Sequence, residues 1–342
     1  MLTIVEVAKR ANVSTATVSN VIRGTRKVSQ ELTDRVQTAI AEMNYTPNEI
    51  ARSLKLKQTR MLAMVLPDIT NPFFPEIIRG AEDAAFARGY FLLTANTNEQ
   101  LGRERRIIAA LRSYRVDGIL LATAQSAYDH DATHIASLIS AGCAVVCLDR
   151  AVTDVATDAV LLDNIGGSLG CVRHLLQQGH RRIAIITGPL HLQTAQERLQ
   201  GYKLALEEAG IPLDEKLVLE GDFRTESGRR CCEQLLERPS RVSAIFVSNG
   251  LMTLGVLQAF NEHNISTPEN YAVATFDEVS HESSRVQLTT VIQPSYEMGF
   301  RAGNMLIDRI EGRLGRASLV IRVEPRLELR NSTSRPFHAS RR

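Results

Sequence analysis

No run of about 18 consecutive apolar residues occurs in this 342-residue chain, so no transmembrane helix is expected. Its first residues, MLTIVEVAKR, have neither the basic flank nor the long apolar centre of a secretory signal, and a cytoplasmic protein is expected. Cysteine is scarce: Cys143, Cys147, Cys171, Cys231 and Cys232 are odd in number, scattered and never spaced C-x-x-C. That pattern excludes a disulfide framework and leaves reduced, mostly buried thiols. Neither a P-loop nor G-x-G-x-x-G is present, so no nucleotide-binding loop supports an enzymatic reading.

What is present is ordinary globular material, 44% hydrophobic and 23% charged, long enough for two or three domains. The net charge is +2, but residues 1–60 hold ten Lys and Arg against five Asp and Glu. The rest of the chain is therefore slightly acidic. A basic front on such a body points to a polyanionic partner for the front alone.

Within that front, Thr3 and Glu6 have the spacing of a capping box, and Ile4, Val7, Ala8 and Ala11 follow at helical intervals. Asn12-Val13 reads as a turn and Ser14 as the cap of a second helix, with Val18, Val21 and Ile22 facing inward. Ser29 caps a third helix with Leu32, Val36, Ile40 and Met43 on its buried stripe. Three short helices with a tight first turn make a helix-turn-helix. Thr15, Ala16, Thr17 and Asn20 are left outward, short enough to sit deep in a major groove: Thr and Ala meet thymine methyls and Asn pairs with adenine. Arg23, Arg26 and Lys27 would lie near phosphates. Next, T-P-N-E-I-A-R-S-L-K-L-K predicts a short helix whose Ile50 and Leu54 are flanked by Arg52, Lys55 and Lys57, an apolar wedge suited to the minor groove.

T-I-V-E-V-A-K-R-A-N-V-S-T-A-T-V-S-N-V-I, followed by V-S-Q-E-L-T-D-R-V, M-N-Y-T-P-N and A-R-S-L, resembles the headpiece and hinge of the LacI/GalR family of bacterial transcription regulators. The resemblance implies double-stranded operator DNA as partner. It implies contacts from Thr3, Ser14, Thr15, Ala16, Thr17, Ser19, Asn20, Arg23, Asn48, Ala51, Arg52, Leu54 and Lys55, with Leu54 intercalating at the operator centre. The family more often has Arg where this chain has Asn20.

From Met61 onward, short apolar runs such as L-A-M-V-L-P, G-I-L-L-A-T, R-I-A-I-I-T-G and A-I-F-V-S-N alternate with helical stretches. This predicts parallel sheets covered on both faces. Many strands end in a polar residue (Asp68, Asn96, Asp149, Asp222, Asn249, Asp277), where open α/β sheets place ligands. D-I-T-N-P-F-F-P-E-I-I-R-G, E-R-L-Q-G-Y, S-N-G-L-M-T-L-G and L-T-T-V-I-Q-P-S-Y-E-M-G resemble the effector-binding, periplasmic-binding-protein-like core of the same family. By that resemblance the effector residues are Phe73, Phe74, Asp149, Thr194, Arg198, Phe223, Asn249 and Asp277, and the chain crosses between lobes near Asp163, Gln293 and Glu324. Gly250 stands where the family usually has Asp, and Leu192 where purine-binding relatives have Arg.

Two rival signals exist. Gly166-Gly167-Ser168-Leu169-Gly170 matches the G-x-S-x-G nucleophile elbow, although no His is placed to serve it. His130 and His134 have i,i+4 spacing in a polar stretch that lacks a third ligand. Neither outweighs the reading as a binding protein, so no catalytic residue, metal or cofactor is expected.

The expected architecture is α/β. A helix-turn-helix headpiece (1–46) and a hinge helix (47–58) precede a two-lobed core (59–330) with two doubly wound parallel sheets. The N-lobe covers about 60–162 and 293–323, the C-lobe about 163–292 and 324–330, and a flexible tail 331–342. The expected function is a homodimeric, ligand-responsive repressor with a sugar or sugar-derivative effector and a pseudo-palindromic operator. The alternatives are control by a purine or nucleoside, or by a phosphocarrier protein. A solute-binding protein without DNA contact is disfavoured by the basic front. Leu54→Ala is expected to weaken specific DNA binding far more than non-specific binding, as gel-shift titrations would show; equal losses on both would contradict the wedge.

Overall fold

The computed structural model describes residues 2–24, 26–46, 58–238, 242–279 and 287–334. The expected hinge contacts Asn48, Ala51, Arg52, Leu54 and Lys55 lie outside these residues. The chain divides into two compact units, Met1–Arg60 and Met61–Arg342.

The first unit holds helices α1 (Ile4–Ala11), α2 (Thr15–Arg23) and α3 (Gln30–Glu42). Glu6 accepts from the Thr3 backbone N–H at 2.7 Å and from its hydroxyl at 3.0 Å, and these bonds hold its carboxyl below the usual range. Asn12 closes α1 in the left-handed region (φ 51°), turning the chain into α2. Arg35 reaches back from α3 to clamp that turn, donating to the carbonyls of Ala11 (2.6 Å) and Asn12 (3.1 Å). One basic residue of the front thus serves the fold. The core is Val7, Ala8, Ala11, Val18, Val36, Ala39 and Tyr45, with Val21 partly buried against it. Ile22, expected to face inward, is instead 37% exposed. It lies about 100° further round α2 than Val21, off the side that packs against the core.

The second unit begins with β1 (Met61–Leu66), α4 (Phe73–Ala87), β2 (Phe91–Asn96), α5 (Leu101–Ser113), β3 (Gly118–Leu121), α6 (Thr133–Ser140), β4 (Ala144–Leu148) and β5 (Asp158–Leu162). It continues with α7 (Asn164–Gln177), β6 (Ile183–Thr187), α8 (Gln193–Glu208), β7 (Val218–Glu220), α9 (Thr225–Leu236), β8 (Ala244–Val247), α10 (Gly250–Glu262), β9 (Ala272–Phe276) and β10 (Thr289–Ile292). Last come α11 (Ser295–Ile310), β11 (Val320–Val323) and β12 (Arg326–Glu328). One sheet has the order β11-β5-β4-β3-β1-β2 and the other β12-β10-β9-β8-β6-β7. All pairings are parallel except β10 with β12. The chain changes sheet after Leu162, after Ile292 and after Val323.

The central strands are buried on both faces, which is why they read as unbroken apolar runs rather than alternating ones. β11 and β12 were not among the expected strands. They are edge strands, largely exposed, and carry Arg322, Arg326 and Glu328. Residues 331–334, expected to belong to a flexible tail, are part of the fold. Ser332 and Thr333 are buried, with Ser332 Oγ donating to the Val273 carbonyl at 2.6 Å and the Thr333 hydroxyl 2.9 Å from that of Thr289. These bonds tie Ser332 to β9 and Thr333 to β10.

α4 and α11 pack backbone to backbone across one face of the first sheet. A Cβ on Gly80 would lie 2.1 Å from the Tyr296 carbonyl oxygen, and one on Gly299 2.0 Å from that of Ile77. No side chain can yield there, so the helices would have to separate. Gly80→Ala and Gly299→Ala are each expected to cost about 1–3 kcal/mol in urea unfolding. A cost no larger than at an exposed helical glycine such as Gly102 would contradict this packing.

Candidate functional site

All eight expected effector residues line a single cleft between the two sheets. They are joined there by Asp68, Asn71, Glu99, Arg150, Asp222, Arg224 and Gln293. The loops at the carboxyl ends of the strands supply most of them: Asp68 follows β1, Asp149 follows β4, Asn249 follows β8 and Asp277 follows β9. Phe73 and Phe74 open α4 from the first sheet's side, with ring centroids 5.0 Å apart in an edge-to-face arrangement. Phe223 enters from the other side. Asp149, Phe223 and Asp277 all have left-handed backbones (φ 65°, 66° and 72°). Such conformations cost non-glycine residues on the order of 1 kcal/mol or more, and they aim side chains off the strand ends into the cleft.

Arg198 organises the centre. Its Nε donates to Asn164 Oδ1 at 2.8 Å and its Nη1 to the Ser248 carbonyl at 2.6 Å, while its guanidinium lies 3.9 Å over the Phe276 ring. Burial pulls its pKa down, against the opposing fields of Asp277 and Asp149. Burial likewise raises Asp277, which accepts from the Gln293 amide. Asp149 is pushed up to about 6, chiefly by burial, although Arg150 and Arg198 act to lower it. Beside it, Arg150 pairs in bidentate fashion with Glu99, both bonds 2.8 Å. Burial alone would lower that guanidinium's pKa, but Glu99 outweighs it and the net shift is upward.

Three lining residues keep a buried polar atom without a hydrogen-bond partner: Asp149 Oδ1, Gln293 Oε1 and Arg150 Nε, the last 3.6 Å from Asp149 Oδ2. Two acceptors and one donor in a closed site match a ligand that offers both, such as a polyol. Asn249 lines the cleft, yet its amide is committed. Nδ2 donates to the Phe223 carbonyl at 2.9 Å and Oδ1 accepts the Met252 N–H at 3.0 Å, so it caps α10 and fixes Phe223. Thr194 is buried at the start of α8. Leu192 is buried and lies outside the lining. The residues missed by sequence reasoning were partly visible in it: Asp68 and Asp222 were polar strand ends, and Gln293 sat at an expected crossing. Nothing local marked Glu99, whose role depends on Arg150, 51 positions away.

The lobes are also bonded directly. The Ala127 N–H donates to the His191 carbonyl at 2.8 Å, the Ala151 N–H to Gln193 Oε1 at 2.9 Å, and Arg224 Nη2 to Asn98 Oδ1 at 3.0 Å.

In the first unit, Thr3, Ser14, Thr15 and Ala16 are exposed, and Thr17, Ser19 and Asn20 are half-buried on α2. Ser14 Oγ accepts the Thr17 N–H at 3.1 Å and lies 2.9 Å from the Thr17 hydroxyl, so both hydroxyls take part in capping. Thr15 and Ala16 are therefore the accessible short side chains at the helix start. The two rival motifs do not assemble as the sequence spaced them. Ser168 is fully buried within α7 rather than at a strand-to-helix turn, and His130 and His134 turn to different carboxylates, Asp154 and Glu104. Among the described residues, no group of three or more His, Cys, Asp or Glu could share a metal ion, and no helix is long and apolar enough to cross a membrane.

Two family models match the chain: bacterial regulatory proteins of the lacI family over residues 3–48, and the periplasmic binding protein-like domain over residues 172–333. The ribose operon repressor of Escherichia coli K12 is 39% identical over 313 residues, covering 91% of this chain and 93% of its own length. The HTH-type transcriptional repressor PurR of Escherichia coli O139:H28 is 36% identical over 349 residues, with full coverage of both chains. A solved complex of the transcriptional regulator CelR with cellobiose has a TM-score of 0.72 at 32% identity, covering 97% of this chain and 100% of its own.

The raised Asp149 pKa has a defined effect on stability. A carboxyl whose folded pKa lies above its unfolded value contributes stability fully present below about pH 4, and lost as pH rises through about 6. Asp149→Asn removes that loss. The variant's unfolding free energy relative to wild type should therefore climb from pH 4 to a plateau above pH 7, by up to about 3 kcal/mol. Urea titrations across pH measure this, and a difference independent of pH would contradict the assignment.

Proposed function

This chain belongs to the lacI family of bacterial regulatory proteins, and we propose that it is a homodimeric, operator-specific transcriptional repressor whose effector is a neutral sugar or sugar derivative held between the lobes. The observation that carries the effector assignment is the cleft's chemistry. Five carboxylates (Asp68, Glu99, Asp149, Asp222, Asp277) line it against three arginines, with aromatic rings on both sides. An anionic ligand such as a phosphorylated sugar would meet that carboxylate excess. A neutral polyol instead donates to Asp149 and Asp277, accepts from arginine, and lays an apolar face on phenylalanine. The ribose operon and cellobiose named for two relatives agree with this reading. A purine is less well served, because Leu192 removes one cation from the α8 end of the cleft.

Headpiece, hinge and core then act in sequence. Residues 1–46 read bases through Thr15, Ala16, Thr17 and Asn20, and residues 47–58 form the hinge whose Leu54 wedges into the minor groove. The effector bridges carboxylates of the two lobes and favours their closure. Closure changes how the amino-terminal lobes of a dimer meet, and with it the pairing of the two hinges. A coupling of about 1–3 kcal/mol gives a 5–150-fold change in operator affinity.

Calorimetry with a panel of neutral monosaccharides, their phosphates, purines and a phosphocarrier protein tests the proposal. Binding by an unphosphorylated sugar is expected, with affinity rising as pH increases through about 6 and level above it, because the sugar's hydroxyls donate to ionised Asp149. Heat only with purines, or only with the carrier protein, would overturn the sugar assignment.

A further inference from the structure

A second cavity, of about 560 Å³, opens on the outer face of the first lobe between α5 and α6. Its polar lining is Arg105, Arg112, Arg115, His134, Ser113 and Ser137, and no carboxylate lines it. That is the reverse of the interlobe cleft. Arg105 and Arg112 stand seven residues apart on α5, two turns along one helix face and about 10 Å apart along the axis. Arg112 is exposed. Arg105 pairs with Asp131 at 2.8 Å, but both side chains are roughly half exposed, and an exposed pair of this kind is readily exchanged for a more highly charged anion.

The wall behind them is built rather than incidental. The His134 side chain is nine-tenths buried, its Nε2 lies 3.0 Å from Glu104 Oε1, and its Nδ1 has no partner. Glu104 is itself fully buried and accepts the Ala124 N–H at 2.6 Å and the Thr123 hydroxyl at 3.1 Å. The imidazole is thus locked by a carboxylate that is locked in turn by the loop after β3.

We propose that this cavity is a second ligand site, which binds a phosphate group, free or as the monoester of a small metabolite. Guanidinium groups and hydroxyls are the donor set that phosphate oxygens select, and the volume exceeds what phosphate alone fills. The assignment does not depend on what occupies the interlobe cleft.

Calorimetry on the full chain at low ionic strength, with inorganic phosphate and with glucose 6-phosphate, tests it. Saturable, salt-sensitive binding is expected, weakened about tenfold or more in the Arg105→Gln/Arg112→Gln variant, whose exposed positions leave folding intact. Tighter binding of the ester assigns the site to a phosphorylated metabolite, and equal binding assigns it to free phosphate. No binding of either, or undiminished binding in the double variant, overturns the proposal. Competition by a neutral sugar that fills the cleft would also overturn it, by placing the anion there instead.

Discussion

Arg198 lies over the ring of Phe276 with Asp149 and Asp277 near enough to act on its charge, and all three charged side chains are buried. Removing such groups from water is costly, and their mutual attraction offsets the cost only in part, as the raised carboxyl pKa values show. The structure tolerates this because Asp149 and Asp277 sit where strands end and Arg198 reaches them from α8, with neighbours holding two of the three: Asn164 and Ser248 for Arg198, Gln293 for Asp277. The unpartnered atoms of Asp149, Gln293 and Arg150 mark where protein partners stop. A ligand that completes those bonds gains more here than it would in water, because these groups are buried.

That constraint organises the rest of the second unit. Two sheets with their carboxyl edges facing one cleft need a chain that crosses between them, and three crossings leave lobes that can close without unfolding. The bonds between the lobes come from two backbone N–H groups, Ala127 to His191 and Ala151 to Gln193, and from the side chains of Ser126 and Arg224, all at the surface of the cleft. Closure is therefore cheap to make and to break, and a ligand's contribution can decide it. By contrast, the backbone-to-backbone fit of α4 on α11 leaves no slack, so the first lobe moves as a body.

Much of this was legible in the sequence, for physical reasons. Strands buried on both faces must be apolar throughout, so the central strands showed themselves, and of the six polar strand ends all but Asn96 line the cleft. The edge strands β11 and β12 did not show, because exposure freed their composition. Ile22 was misread because the packing of three short helices, not α2 alone, decides which side of α2 is covered, and the turn at Asn331–Thr333 depended on bonds to Val273 and Thr289, more than 40 positions away. Of the cleft, the family-like motifs carried eight residues. The Glu99–Arg150 pair and the commitment of Asn249 to Phe223 exist only once the loops are assembled.

The central claim is that filling the cleft changes the grip on DNA. Fluorescence anisotropy with a labelled operator duplex tests it directly, run with and without a saturating neutral sugar that calorimetry has shown to bind. A shift in operator affinity of at least about fivefold, with non-specific DNA binding little changed, is the predicted result. Unchanged operator affinity with the cleft fully occupied would contradict the account.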